Sequence, residues 1–146
     1  MSEFRVEQID HVEIFVPDRY LAAKWYEKVL GFIIMKKYEQ WAEDKGGPLI
    51  ISSDGGNTKI ALFPGIPQGS QETIGIRRVA FRASGADFLK FWNSRNEIEV
   101  CEKDGSKLED LKIVDLSIAC SVYFCDPYGN LLEITTYDHE YVSGHL

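Results

Sequence analysis

The sequence predicts an α+β fold in which two βαβββ repeats form one curved mixed sheet around a cavity, with the helices on its convex face. Two observations predict it. Each half places an amphipathic helical segment after a first alternating segment and before a hairpin-like pair of alternating segments. The halves also share residues at fixed offsets, since Trp25 and Trp92 stand 67 positions apart and Asp54 and Asp126 stand 72 apart. The chain is therefore an internal repeat.

The first half opens with the alternating segment Ile9–Val16. Period-2 alternation predicts a strand whose two faces differ. Asp18 is the expected N-cap of the helix that follows, and Gly31 is its expected end. One face of the strand carries Val12, Ile14 and Val16, and the other carries His11, Glu13 and Phe15.

The rest of the first half contains three more predicted strands. Phe32–Tyr38 is expected to be the first of them. Leu49–Ser53 and Thr58–Phe63 flank a turn rich in Gly and Asn, which indicates a hairpin.

The second half repeats this order. The predicted elements are a strand over Ile76–Ala83, a helix that begins at Ser84, a strand over Ile98–Lys103, and a hairpin of Ser121–Cys125 and Leu131–Tyr137. The offset between the halves increases by five residues, from 67 to 72, and this insertion is assigned to residues 106–119. These residues lack a clear hydrophobic period and are expected to be irregular, with at most a short helix. The chain is thus one domain, 1–146, with halves at about 6–63 and 75–137, a linker at 64–74 and a C-terminal tail at 138–146.

Composition limits the function classes. Of 146 residues, 23 are acidic and 16 are basic, and the net charge of −7 argues against binding to nucleic-acid phosphates. The three cysteines have no Cys-x-x-Cys spacing, which predicts free thiols in a reducing compartment. No apolar run is long enough for a membrane span, and no leader segment is recognisable. We expect a cytoplasmic protein with no nucleic-acid or membrane partner.

Alternation also predicts a binding face. Glu133 lies in mid-strand between Leu132 and Ile134, where a carboxylate needs a partner. Aromatic residues with a few polar groups are typical of a small-molecule pocket. Arg78 and Arg82 share a face of one strand, and they either bind a substrate carboxylate or phosphate, or pair with acidic neighbours. The expected substrate-binding residues are Glu13, Phe15, Phe63, Arg78, Arg82, Tyr123 and Thr135.

Three segments carry a family resemblance: Ile9–Asp18, Trp25–Phe32 and Phe124–Ile134. Together they resemble the vicinal oxygen chelate superfamily, which includes glyoxalase I, extradiol dioxygenases, fosfomycin-resistance transferases and bleomycin-resistance proteins. Metal-using members have up to four cavity positions for ligands, which here hold His11, Ala61, Arg78 and Glu133. The resemblance implies His11 and Glu133 as metal ligands, because a guanidinium offers no lone pair.

The resemblance leaves two functions open. The first is a glyoxalase-like (lactoylglutathione lyase-like) or dioxygenase-like enzyme acting on a small molecule with vicinal oxygens. A divalent Zn, Ni, Mn or Fe ion would be held by His11 and Glu133, with Glu133 and Arg78 as catalytic residues. The alternative is a metal-free sequestration protein of the bleomycin-resistance type, with no cofactor and an Arg78–Glu133 pair in the cavity. A homodimer is implied in either case.

Overall fold

The computed structural model describes residues 7–66 and 75–146. The elements in chain order are β1 (His11–Val16), α1 (Arg19–Leu30), β2 (Ile33–Ile34), a 3₁₀ helix (Lys36–Glu43), β3 (Leu49–Ser52), β4 (Lys59–Pro64), β5 (Val79–Arg82), α2 (Gly85–Asn93), β6 (Ile113–Asp115), β7 (Cys120–Cys125), β8 (Leu131–Thr136) and α3 (His139–Gly144). No helix in these two ranges is both long and apolar enough to cross a membrane.

The chain divides into two compact units, Met1–Gln68 and Gly69–Leu146. Each unit contains one four-stranded sheet, in the order β1-β4-β3-β2 in the first and β5-β8-β7-β6 in the second. In both, the first strand pairs in parallel with the last, and the remaining pairs are antiparallel. This identical topology confirms the predicted βαβββ repeat and the α+β class. Closure of the two sheets into one curved sheet stays a prediction.

The strand registers reproduce the offsets read from the sequence. Val12 lies opposite Ile60 in the first unit, and Val79 lies opposite Leu132 in the second. Val12 and Val79 are 67 positions apart, and Ile60 and Leu132 are 72 apart. The first and last strands of the two units are therefore paired in equivalent registers.

Helix α1 begins and ends where the sequence predicts. The Asp18 side chain accepts a hydrogen bond from the Leu21 amide at 3.0 Å, which satisfies one of the free donors of the first turn. Gly31 ends the helix with φ at 74°, a left-handed conformation that a residue with a Cβ adopts at a cost. Tyr26 is fully buried and packs edge-on against Phe32, with ring centroids 6.0 Å apart. These contacts hold α1 against the core of the first unit.

Helix α2 covers one face of the second sheet. Ser84 caps it by accepting from the Asp87 amide at 3.2 Å. Phe91 stacks on Phe124 of β7, with ring centroids 5.6 Å apart, and Phe88 is buried. Because Phe124 lies opposite Leu132 in the ladder, α2 lies over the Leu132 side of β8. Glu133 faces the other way, as alternation predicts.

The predicted strand over Phe32–Tyr38 is wrong in extent. Only Ile33 and Ile34 pair with β3, and the 3₁₀ helix begins at Lys36. The segment after Met35 has no period-2 apolar pattern, so it offers no face to bury. A 3₁₀ turn instead brings Tyr38 and Trp41 to the same side, where their rings stack at 4.9 Å.

The predicted strand over Ile98–Lys103 is also wrong. Only Cys101 forms isolated bridges, to Lys107 and to Cys125. The free edge of β7 is occupied by β6, which lies within the segment expected to be irregular. Residues 98–103 are therefore held by burial of Val100 and Cys101 and by the two backbone hydrogen bonds between Cys101 and Cys125, without a continuous ladder.

Asp126 closes the turn between β7 and β8, and its side chain is fully buried. One of its carboxylate oxygens accepts from the amides of Tyr128 and Asn130, both at 2.9 Å, and the other accepts from the Asn130 side chain at 2.7 Å. A buried carboxylate with several donors fixes the turn. The predicted hairpin is confirmed.

The C-terminal tail expected at 138–146 contains α3. Val142 of this helix is fully buried, and the Asp138 side chain accepts from the Gly85 amide at 2.7 Å at the start of α2. The tail thus packs against the second unit. Residues 67–74 of the expected linker lie outside the described residues.

Candidate functional site: the polar faces of the two sheets

The first sheet places the predicted residues of its unit on one face. His11, Glu13 and Phe15 lie on the side of β1 opposite the buried Ile14 and Val16. The parallel register sets Glu13 beside Ala61 and Phe15 beside Phe63. Residues paired in this way share a face of the sheet. Glu13, Phe15 and Phe63 are therefore neighbours, as predicted.

His11 is bound by carboxylates on both sides. Its Nδ1 lies 2.8 Å from Asp10 Oδ2, and its Nε2 lies 3.0 Å from Glu13 Oε2. The hydrogen bond to Asp10, followed by the one to Glu13, raises the pKa of His11 above 6.5. Two acceptors are best matched by an imidazolium, which donates from both nitrogens. In this arrangement neither ring nitrogen presents a free lone pair.

Two residues of this cluster were missed by the sequence reasoning. Asp10 contacts both His11 and Lys59, whose Nζ lies 3.0 Å from Asp10 Oδ1. The hydrogen bond to His11, followed by the one to Lys59, lowers the pKa of Asp10. Asp10 could have been predicted because it precedes His11 in the sequence. Lys59 could not, because it comes close to Asp10 only through the pairing of β1 with β4.

The second sheet also gathers its predicted residues on one face. Ala80, Glu133 and Tyr123 form one row across three strands. Arg82, Thr135 and Ser121 form the next row. Ser121, which the sequence reasoning did not select, is fully buried and donates to the Thr135 hydroxyl at 3.0 Å. This is the face opposite α2.

Arg78 does not form the expected ion pair with Glu133. Its guanidinium lies over the Tyr123 ring, 4.6 Å from the centroid, and its Nε is buried with no hydrogen-bond partner among the described residues. Glu133 lies beside Ala80 in the ladder, so Arg78 crosses β8 to reach Tyr123 on the far strand. Stacking on an aromatic face suits a guanidinium.

Glu133 is left with an open carboxylate. It is partly exposed, and no hydrogen bond or ion pair joins it to another described residue. In the first unit, β1 places Glu13 opposite Ala61 of β4, and in the second unit β5 places Ala80 opposite Glu133 of β8. Ala61 is therefore the equivalent of Glu133, and Glu13 is the equivalent of Ala80. Each unit thus carries one carboxylate at this row, but on different strands.

Arg82 is exposed, and it lies four residues beyond Arg78 along the chain. Four residues of extended strand span about 13 Å. Their Cα atoms are therefore well separated along β5. Joint binding of one anion by both arginines stays a prediction.

The three cysteines are free and buried. Burial raises the pKa of each thiol, which keeps it protonated and unreactive. The prediction of unpaired thiols is confirmed for Cys101, Cys120 and Cys125.

A shallow groove elsewhere in the second unit includes none of the predicted site residues. His139 lines it, and its Nε2 lies 2.7 Å from Asp115 Oδ1, so one ring nitrogen is hydrogen-bonded. The groove lies beyond the end of β8, away from the Glu133 row. It is lined by Ser84, Ala86, Ser117, Ile118, Tyr137, Asp138, His139, Glu140 and Tyr141.

The residues at the four implied ligand positions do not fit a resident metal ion. Ala61 has no donor atom and Arg78 has no lone pair, while both nitrogens of His11 are hydrogen-bonded to carboxylates. Within residues 7–66 and 75–146, no three His, Cys, Asp or Glu side chains are grouped so as to hold a metal. Divalent metals in proteins usually take three or more protein ligands at a resident site.

A protein-family model supports the family resemblance that the sequence motifs suggested. The model of the Glyoxalase/Bleomycin resistance protein/Dioxygenase superfamily matches residues 8–134. The chain belongs to this superfamily. The resemblance predicted from the sequence is therefore confirmed over most of the chain. A comparison with curated proteins gives no match.

Solved structures share the fold of this superfamily member at low identity. A putative glyoxalase family protein from Bacillus anthracis is 20% identical, with a TM-score of 0.62, 93% of this chain covered and 99% of that one. A virulence protein from Salmonella typhimurium is 24% identical, with a TM-score of 0.56 and coverages of 92% and 99%.

A third similar structure carries a metal and a ligand. It is a variant of the fosfomycin resistance protein FosX from Listeria monocytogenes, complexed with Mn(II) and 1S,2S-dihydroxypropylphosphonic acid. It is 12% identical, with a TM-score of 0.63 and coverages of 94% and 97%. At these identities the three structures show the fold of the superfamily member and leave its chemistry open.

Proposed function

We propose that this superfamily member binds a small organic molecule on the polar faces of its sheets without a resident metal. This is the sequestration role given above as the alternative. The observation that carries it is Arg78, which occupies an implied ligand position and stacks on Tyr123 at 4.6 Å. A stacked cation at that position supports direct contact with a ligand and opposes a nearby metal ion by charge repulsion.

The chemistry of each face, taken separately, suits a small organic ligand. Tyr123 offers an aromatic surface and Glu133 an open carboxylate. Thr135, in the next row, has a hydroxyl that already accepts from Ser121 and donates to the Cys120 carbonyl. In the first unit, Phe15 and Phe63 lie side by side and are partly exposed. Apolar rings with a few placed polar groups are what small-molecule sites use for affinity and orientation.

Binding to the second sheet can be tested with neutral aromatic fragments and amide-detected NMR. Benzamide and catechol should shift amides of β5, β7 and β8, and Tyr123→Leu should weaken binding by about tenfold, the loss of one aromatic contact. Tyr137→Leu is the matched control, because Tyr137 is exposed and lines the groove beyond β8. Shifts confined to the groove, or none at millimolar fragment, would contradict the proposal.

The second candidate is the glyoxalase- or dioxygenase-like enzyme, with a divalent ion at His11 and Glu133. It is favoured by the open carboxylate of Glu133, which has no partner among the described residues. A divalent ion supplies a Lewis acid for vicinal oxygens. His11 would first have to give up its hydrogen bond to Asp10 or Glu13, which competes with metal binding.

Metal content separates the two candidates. We expect untagged protein to contain well below one equivalent of Zn, Ni, Mn or Fe, and Mn²⁺ to bind weakly by calorimetry. Arg78→His adds a lone pair at the implied position and should increase Mn²⁺ affinity, whereas Arg77→His is the control on the neighbouring residue. A full equivalent of metal that is lost in Glu133→Ala would instead support the enzyme.

The homodimer implied by the family resemblance and the cytoplasmic location expected from the sequence stay predictions. Light scattering after size exclusion gives the oligomeric state directly.

A further inference from the structure

We propose that the second sheet recognises a small organic acid through the guanidinium of Arg78, with Tyr123 holding that guanidinium in place. The inference rests on the proposed function and names the chemical class of its ligand. The group bound is an oxyanion, such as a carboxylate or phosphonate, on a molecule that also carries a hydrogen-bond donor.

The buried Nε of Arg78 is the first observation. It has no hydrogen-bond partner among the described residues. Buried donors in folded proteins are nearly always paired, and an unpaired one needs an explanation. Because this Nε–H has almost no accessible surface, a ligand acceptor reaches the guanidinium at its terminal N–H groups, which are not among the buried unpaired atoms of the described residues. A guanidinium bonds carboxylates and phosphates in its own plane.

The stack on Tyr123 is the second observation. The guanidinium carbon lies 4.6 Å from the ring centroid, so one face of the guanidinium is occupied by the ring. A ligand is then bound at the edge of the guanidinium, where its N–H groups point. Stacking also fixes the orientation before the ligand arrives, which lowers the entropy lost on binding.

The charge of Arg78 is also uncompensated. No ion pair joins it to an acidic side chain in the described part of the chain. Arg82, on the same face of β5, likewise has no such partner there. This strand therefore presents positive charge on a chain whose net charge is −7. Such a local field favours an anion over a neutral molecule of the same shape.

Glu133 determines the second chemical group that the ligand must carry. It lies one row from Arg78 on the same face and is open. A carboxylate repels an anion and accepts from a hydroxyl or ammonium group. The ligand therefore places its acid group toward Arg78 and a donor group toward Glu133. Hydroxy acids and amino acid derivatives have this pair of groups on adjacent carbons.

The test compares mandelate with mandelamide, which share the ring and the hydroxyl and differ in the charge of the acid group. Mandelate should bind at least about tenfold more tightly, a value typical of one charge-assisted contact. It should also change the chemical shift of the Arg78 Nε–H, which reports on the guanidinium that the ligand contacts. That readout uses the wild-type protein and needs no variant.

Two variants assign the effect to Arg78. Arg78→Lys keeps the charge but removes the planar fork, so mandelate affinity should fall by about tenfold. Arg77→Gln removes a full charge from the exposed neighbour and should change affinity by less than about twofold. Circular dichroism confirms that each variant is folded.

Equal binding of mandelate and mandelamide, or unchanged affinity in Arg78→Lys, overturns the inference. So does a loss in Arg77→Gln equal to that in Arg78→Lys. If mandelamide still shifts the β7 and β8 amides, the proposed binding function stands and only the preference for an acid fails. If neither compound, nor the neutral fragments, shifts that face, both proposals fail.

Discussion

The two ring nitrogens of His11 lie 2.8 Å from Asp10 and 3.0 Å from Glu13, so one imidazole bridges two carboxylates. The same side chain is the one that the family resemblance predicted as a metal ligand. Its partners are local, at one and two positions along the chain. The stability that this cluster contributes is therefore expected to depend on pH.

The first prediction concerns the titration of His11. Its pKa is raised above 6.5, mainly by the hydrogen bond to Asp10 and then by the one to Glu13. Asp10→Asn should therefore lower the pKa of His11 more than Glu13→Gln does. The shift of the ring protons with pH measures both. An equal or reversed order would show that Glu13 dominates.

The second prediction follows from linkage. Because the folded pKa of His11 is raised, its contribution to the unfolding free energy is complete below pH 6.5 and is lost as the pH rises through the folded pKa. The pKa of Asp10 is lowered, so its contribution is present above pH 3.8 and is lost as the pH falls through the folded pKa. Both contributions are present between these values.

Urea unfolding at pH 5.5 and 8.5 checks the linkage of His11. The wild type should lose stability between these two values, and His11→Gln should lose less. The effect is small, since the side chains of His11 and Asp10 are 37% and 70% exposed and water screens their charges. Parallel pH profiles of the two proteins would contradict it.

The third prediction concerns the turn after β7. Asp126→Ala removes the acceptor of two backbone amides at a fully buried position and should lower the unfolding free energy by about 2–3 kcal/mol. Asp104→Ala is the control, because that carboxylate accepts from Ser106 at an exposed turn. Chemical denaturation measures both, and equal losses would refute the special role of Asp126.

The fourth prediction concerns the contact between α2 and α3. A Cβ at Gly85 would lie 2.7 Å from the Tyr141 ring and 2.9 Å from Asp138 Cβ. Gly85→Ala should therefore destabilise the protein by about 1–3 kcal/mol by overpacking. Gly144→Ala, where a Cβ meets nothing within 4 Å, should be neutral or slightly stabilising. Thermal melts compare the two, and equal shifts would contradict this packing.

The largest failures of sequence reasoning concern strands whose ladder partner is distant. Ile98–Lys103 has strand-like composition, but Ile113–Asp115 pairs with the first half of β7, and only Cys101 bridges to its end at Cys125. Which of two segments pairs with the edge of a strand depends on the path that the connecting chain can take in the folded protein. Local alternation carries no information on that competition.

The candidate site shows the same division. Alternation alone placed Arg78, Tyr123, Glu133 and Thr135 on one face, because side-chain period in a strand is a local property. It did not predict that Arg78 would pass Glu133 and stack on Tyr123, which lies two strands away. That choice depends on distances across the sheet.

The sequence by itself determined the repeat, its helix caps, its hairpins and the two faces of each strand, since these follow from periodicity and from residues close in the chain. Only the tertiary structure decided that β6 lies at 113–115 and that His11 bridges two carboxylates. It also decided that Arg78 keeps a buried, unpaired N–H against Tyr123. The physical reason is that side chains with several partners in reach choose among them by distance and burial, which are set only once the strands are packed.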